Sequence, residues 1–331
     1  MTSKRNFGIA GSGVYLPRQR VSADELDALT GLPKGTVTRQ FGVVQRHKAD
    51  PDETTSWMGA VAAEAAFAQA GWARDSVDVI IAACGVMEQP IPSTAVLIQR
   101  RLGLGGSGIP AFDINATCLS FLVAFDRVLA GFALGEWRRA LIVCADIASA
   151  GLDYTDPEAA VLFSDGAAAF ALCSDGPHCR LAHSFRTYGE AADACNLEAG
   201  GTRVRPEADL EDFLRRAKFR MDGQALFRAT SRRFPQFLSE LLNRAEIKST
   251  ELDCIIPHQA SASALEHLKR SLPDGHTKTV DIFSHVGNLI ATSLPFTLHV
   301  AREEGRLPSG DLGLLIGSSA GISLGGAVIR W

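Results

Sequence analysis

The feature that most constrains this chain is that it repeats itself. "VDVIIAACG" from Val77 resembles "LDCIIPHQA" from Leu252, each an apolar, β-branched run with an acid at its second position. Such runs suit strands buried on both faces. "AFDINATC" from Ala111 pairs with "TVDIFSHVGN" from Thr279, "ALIVCAD" from Ala140 with "LGLLIGSS" from Leu312, and "AAAFALC" from Ala167 with "GGAVIRW" from Gly325. The order is the same each time, so a duplicated fold is expected. Helical periodicity falls between the runs, over residues 61–70, 119–133, 224–242, 263–271 and 293–304, and residues 7–14 read as an opening strand. Strands alternating with helices of this length predict an α/β protein of mostly parallel sheets covered by helices. The halves are expected to span 1–175 and 176–331. The stretch from about Ser174 to Ala217, rich in Gly, Asp, Arg and Glu and without a period, is expected as a long joining loop that borders the active site.

A chain of 331 residues, 46% hydrophobic, can bury the core such a fold needs. A net charge of −4 without a block of Lys and Arg argues against nucleic-acid binding. No apolar run of the roughly 18 residues a membrane span needs is evident, and the glycines and proline of the opening "MTSKRNFGIAGSGVYLP" do not suit a signal peptide. Seven cysteines, at 84, 118, 144, 173, 179, 195 and 254, lack the C-x-x-C spacing of a zinc site. Reduced thiols in a cytoplasmic protein, with no metal, are the expectation.

Cys118, in "DINATCLSFLV", stands where a strand should end and a buried helix begin. There, unpaired backbone N–H groups and the helix dipole would favour its thiolate. A cysteine in an apolar chain is more often a packing residue, and Cys84, Cys144, Cys173 and Cys254, inside strand-like runs, fit that description. Cys118 differs through its companions. The repeat brings the strand ends of both halves together, and in the second half these carry His258, in "IIPHQAS", and Asn288, in "SHVGNLIATSLP". Each alone would mean a structural histidine or a plain loop. Together they compose a catalytic cluster. A thiolate accepts an acyl group from a thioester at little energetic cost. Imidazole and amide N–H groups can hold the enolate formed when a malonyl group loses CO2. A cysteine protease also uses Cys, His and Asn, but the duplicated strand order does not suggest that fold.

Two other motifs compete. "GSSAG", Gly317 to Gly321, matches the G-x-S-x-G elbow of serine hydrolases, but a closing strand follows it with no acid or histidine left. It reads better as a turn whose backbone N–H, at Gly321, joins that of Cys118 as an oxyanion donor, or as a plain hairpin turn. "GLGGSG" from Gly103 has G-x-G-x-x-G spacing, yet it leads from helix to strand, the reverse of a dinucleotide site.

At these residues the sequence resembles the thiolase superfamily, and most of all the β-ketoacyl-acyl-carrier-protein synthase III family, over essentially the whole chain. The resemblance rests on "FDINATCLSF", "VLFSDGAAAFAL", "PHQAS", "HVGNLIATSLP" and "GSSAGISLGGAVIRW". It implies a five-layer αβαβα sandwich and a homodimer, with Cys118 as the acylated nucleophile. His258 and Asn288 would assist malonyl decarboxylation, and Arg39, Ile91, Phe163 and Ser261 would contact substrate. Acyl carrier protein and an acyl thioester, of coenzyme A or of the carrier, are the implied partners, with no further cofactor. The segment "FLRRAKFR", with Arg215, Arg216, Lys218 and Arg220, is the expected basic docking patch, or else a solvated helix face.

The chain departs from the family at the adenine clamp. Thr36 stands at the clamp's tryptophan position and Pro157 at its arginine position. A stacked cation and indole are worth about 1–2 kcal/mol, so acetyl-CoA priming of the usual kind loses support. Ser261 replaces an asparagine, and Leu289-Ile290 replaces Thr-Ser. Alternative readings are acyl transfer to a hydroxyl or amine, head-to-head condensation of two acyl thioesters, and a non-catalytic partner in a heteromeric synthase.

Overall fold

A computed structural model describes residues 4–331. Among the described residues the main sheet has eight strands: β1 (Arg5–Tyr15), β2 (Val79–Ala82), β3 (Ala111–Asp113), β4 (Arg139–Asp146), β5 (Gly166–Thr187), β6 (Cys254–Pro257), β7 (Leu312–Ser319) and β8 (Ser323–Arg330). Six helices cover it: α1 (Thr55–Ala70), α2 (Thr94–Arg101), α3 (Ser120–Leu134), α4 (Gly223–Ala245), α5 (Ala262–Ser271) and α6 (Ser293–Glu303).

The repeated runs occupy equivalent places. In the first half β3, β2 and β4 are parallel neighbours and β5 returns antiparallel beside β4. In the second, a bridge at Thr279, then β6 and β7, run parallel, and β8 returns antiparallel. The acid at the second position of each first run does the same work twice. Asp78 accepts the N–H groups of Arg138 and Arg139 at the entry to β4, at 2.7 and 2.9 Å, and Asp253 accepts that of Leu312 at the entry to β7, at 2.9 Å. Each thereby fixes the backbone where the neighbouring parallel strand begins.

Two expectations need correction. The sheets are mixed rather than mostly parallel, because no long helix separates β4 from β5 or β7 from β8 and the chain returns beside the strand it has just left. The predicted loop from Ser174 is strand as far as Thr187. β5 runs for 22 residues, its first part pairing with β1 and β4 and its last part with β8. β5 therefore joins two sheets, one from each half, into the single hydrogen-bonded set of eight strands, and position 175 lies inside it.

Side-chain alternation along the strands builds five layers. Val79 and Ile81 face a central core with Phe121, Leu122 and Phe125 of α3 and Leu294 and Leu298 of α6, while Ile80 and Ala82 face α1 and α2. In the second half Ile256 and Leu315 face that same central layer, whereas Ile255, Leu314 and Ile316 face α4 and α5. The order is helix, sheet, helix, sheet, helix. The window Thr117–Leu134, with mean hydropathy 1.7, is long and apolar enough to cross a membrane by composition, which the sequence reading did not anticipate. In the fold it carries the central core helix α3, packed between two sheets.

Candidate active site

The strands that run parallel within each half release their turns at the middle of the molecule, and those turns carry the candidate residues. Cys118 follows β3 and precedes α3 by two residues. Thr117 before it has φ of +53°, a left-handed conformation that a β-branched residue adopts only where its surroundings impose it. Ser120 supplies that support. Its hydroxyl donates to the Thr117 carbonyl at 2.7 Å and accepts the Ala116 N–H at 2.9 Å, closing a tight loop around the cysteine.

Burial pushes the Cys118 thiol well above the ordinary cysteine range, aided by the nearby Cys195 and Asp146. Hydrogen bonds from the backbone of Cys118 and Ala320 to the sulfur pull it down, less strongly. The expected thiolate at a helix N-terminus is thus corrected. The sulfur lies before the first helical turn, and desolvation outweighs the backbone donors. The N–H that reaches the sulfur belongs to Ala320, in the tight turn between β7 and β8, one residue before the expected Gly321.

His258 emerges where β6 ends, its N–H held by the Ile316 carbonyl at 2.9 Å. It is 6% exposed, and burial lowers its pKa to about 4, so the imidazole is neutral at pH 7. Its Nδ1 has no hydrogen-bond partner among the described residues. Gly317 makes the room. A Cβ there would stand 2.8 Å from the His258 Cβ and 3.0 Å from Leu119, so only glycine lets β7 pass between the histidine and the residue next to Cys118.

Asn288 is buried as well. Its Oδ1 accepts the Ile290 N–H at 2.9 Å, and its Nδ2 donates to the Ala260 carbonyl at 3.2 Å, tying it to the His258 loop. An amide nitrogen carries two hydrogens, which leaves one for a ligand. Phe163 bridges the Asn288 backbone and stacks edge-on to Phe219 at 4.8 Å, so it shapes the wall beside the asparagine.

A cavity of about 80 Å³ reaches His258 between α4 and α5, lined by Phe227, Phe234, Leu268 and Gly317 among others. Phe227 is exposed and stands edge-on to His267. The sequence reading missed this wall, for α4 looked like any amphipathic helix. Arg39 is exposed on the turn Val37–Phe41, and the next residue, Gly42, packs on Ala262 of α5. Thr36 is buried and cannot stack on a ligand, and Pro157 opens a short helix whose Glu158 abuts Gly223 at the start of α4. Ser261 caps α5, accepting the Ala264 N–H at 3.2 Å. Ile91 stands apart, 85% exposed on the loop after β2 and outside the cavity of its own chain. Arg215 pairs with Asp212, and Arg216 with Asp212 and Glu198, so half of the expected basic patch is already neutralised. Arg228 and Arg232 of α4 are exposed, with no ion pair among the described residues.

Two mixed sheets sandwiching a central helix layer, with Cys, His and Asn delivered by equivalent turns, define the class of thiolase-fold acyl-transferring enzymes. Comparison with known proteins narrows the class. Models of the 3-oxoacyl-[acyl-carrier-protein] synthase III family match residues 112–189 and, for its C-terminal part, 242–331. The chain is 33% identical to acetoacetyl CoA synthase NphT7 of Streptomyces sp. strain CL190 over the full length of both. It is 34% identical to β-ketoacyl-[acyl-carrier-protein] synthase III of Bordetella petrii, over 97% of each chain. The crystal structure of 3-oxoacyl-[acyl-carrier-protein] synthase III from Aquifex aeolicus superposes with a TM-score of 0.87 at 28% identity, covering 98% of this chain and 100% of that one. The chain belongs to the 3-oxoacyl-[acyl-carrier-protein] synthase III family and is a condensing acyltransferase.

Proposed function

We propose that Cys118 takes an acyl group from an acyl thioester and that His258 and Asn288 then direct decarboxylative condensation with a malonyl thioester. In the first step the sulfur forms a thioester with the acyl carbon and the donor thiol leaves. In the second, the malonyl group loses CO2, and the electron pair left behind becomes an enolate whose oxygen accepts the imidazole and amide N–H groups. The nucleophilic carbon attacks the acyl-Cys118 carbonyl. The N–H groups of Cys118 and Ala320 receive the resulting oxyanion before the cysteine thiolate departs, leaving a β-ketoacyl thioester. The observation that carries this reading is a buried, neutral histidine beside an asparagine held through Ala260. A neutral imidazole keeps one N–H, which can donate to the enolate oxygen.

An acyl carrier protein is the proposed extender carrier, docking on the uncommitted Arg228 and Arg232 beside the exposed Phe227. The absence of an aromatic and an arginine at Thr36 and Pro157 supports a donor that does not depend on stacked adenine. A second reading, with both partners as coenzyme A thioesters, is favoured by the 33% identity to a protein named acetoacetyl CoA synthase. The proposed working form is a homodimer in the cytoplasm without a cofactor of its own, the exposed apolar Met87 and Ile91 being candidates for cover by a second copy.

Substitutions separate the steps. Cys118→Ala is expected to abolish acyl-enzyme formation. Asn288→Ala and His258→Ala should still acylate but lose at least tenfold in the malonyl step. Normal condensation by Cys118→Ala would overturn the assignment.

A further inference from the structure

Asp146 ends β4 with its side chain wholly buried and without a cationic partner, yet it makes four hydrogen bonds. One carboxylate oxygen accepts the N–H groups of Gly85 and Val86, at 2.7 and 2.8 Å, in the turn after β2. The other accepts the N–H and hydroxyl of Thr292, at 3.1 and 3.0 Å. Thr292 closes the turn that begins at Asn288, whose Oδ1 is held by the N–H of Ile290. Ile290 in turn occupies the space a Gly85 side chain would need, with a Cβ there 2.4 Å from the Ile290 Cγ2 and 3.6 Å from the Thr117 carbonyl carbon. The residue before Gly85 also reaches the nucleophile turn, since the Cys84 carbonyl accepts the Ser120 hydroxyl at 3.3 Å. One carboxylate therefore joins the turn bearing Asn288 to the turn packed against Thr117–Cys118.

We propose that Asp146 is a positioning residue for the condensation, fixing the Asn288 amide relative to the acylated Cys118 by clamping Thr292 to the Gly85–Val86 turn. Three of the four partners are backbone N–H groups, which can only donate, and a carboxylate accepts all four together. An asparagine would turn its NH2 group toward the N–H groups of Gly85 and Val86 or toward the N–H of Thr292, where the hydroxyl alone could turn to accept, and either way the clamp loosens on that side. The chemistry that depends on Asn288 then suffers first. Acyl transfer from the donor thioester needs only the thiol and the N–H groups of Cys118 and Ala320, and so it is not slowed; losing the Asp146 charge, a minor contributor to holding the thiol protonated, acts if anything in its favour.

The inference rests on the proposed two-step reaction, and the test keeps the two apart. Acylation of Cys118 and decarboxylation of malonyl-carrier protein by the acyl-enzyme are measured separately, in single turnovers, for the wild-type enzyme, Asp146→Asn and Thr292→Val. Asp146→Asn should acylate within about threefold of wild type and lose tenfold or more in the malonyl step, with the malonyl KM changed less than threefold. Thr292→Val keeps the backbone N–H and loses only the hydroxyl bond, so it should show the same split, more weakly. An equal loss in both steps, or none in either, by Asp146→Asn would overturn the role. If Asp146→Asn does not fold, Thr292→Val decides alone, and an unchanged malonyl step in that variant overturns it. A wild-type enzyme that releases no CO2 from malonyl-carrier protein or from malonyl-coenzyme A sinks the reaction assignment instead.

Discussion

Burial decides the protonation of both titrating groups at the centre of the site, and in opposite senses. The Cys118 thiol is pushed up and stays protonated at rest, although its helix promised the reverse. Alkylation by iodoacetamide should accordingly be slow at pH 7 and still accelerate above pH 9, whereas a plateau below pH 8 would contradict the burial account. The His258 imidazole is pushed down from 6.5 to about 4. As pH falls below 6.5 the unfolded chain takes up this proton before the folded protein does. The stabilisation is therefore present above 6.5 and is lost as pH falls toward 4. Between pH 7 and pH 5 the wild type should lose ~2 kcal/mol more than His258→Gln. Urea unfolding at the two pH values measures it, and parallel losses would refute the shift. At this scale the sequence revealed the side chains and concealed the backbone. Cys118, His258 and Asn288 stand out as candidates by residue type and place in the repeat, and the structure sets them at turns between the same layers. A main-chain donor such as that of Ala320 has no side-chain signature, and the sequence marks such a turn only by its glycine. Asp146 was hidden because it ends an apolar run and all its partners lie some 60 or more residues away in the chain.

Elements carry these residues to one place through close approaches that tolerate little extra volume. Adding a methyl group at Gly317 would push β7 against His258 and Leu119. Gly317→Ala is expected to cost about 1–3 kcal/mol in stability and to slow the malonyl step more than acylation, because the histidine moves first. Thermal unfolding with single-turnover assays tests both, and a variant unaffected in either would show that the strand has slack. The strands of the repeat were readable because burial on both faces demands apolar, β-branched runs, and helices α3, α4, α5 and α6 were placed within a few residues. β5 was readable only in its first part. Beyond Cys173 the stretch containing Asp175, Gly176 and Pro177 breaks the apolar pattern, where the pairing with β1 also shifts register between Phe7 and Gly8. That irregularity looks like a loop in one dimension and is a bend in a shared strand in three.

In the whole molecule, duplication explains why a site of three residues draws on segments 170 residues apart. Each half buries its strands in its own outer helices and in the central layer, so the turns between halves are fixed by two cores at once. The cavity at His258 is less legible, since its walls come from α4 and α5, which lie apart in the chain from Cys118. The central claim is that this architecture performs acylation followed by decarboxylative condensation. Intact-mass analysis tests it most directly, with the protein exposed to a panel of acyl-coenzyme A and acyl-carrier-protein thioesters and then to malonyl-carrier protein. The expected result is an adduct on Cys118 that malonyl-carrier protein discharges as a β-ketoacyl thioester. An adduct that survives malonyl-carrier protein and malonyl-coenzyme A alike, or no adduct from any donor, would contradict it.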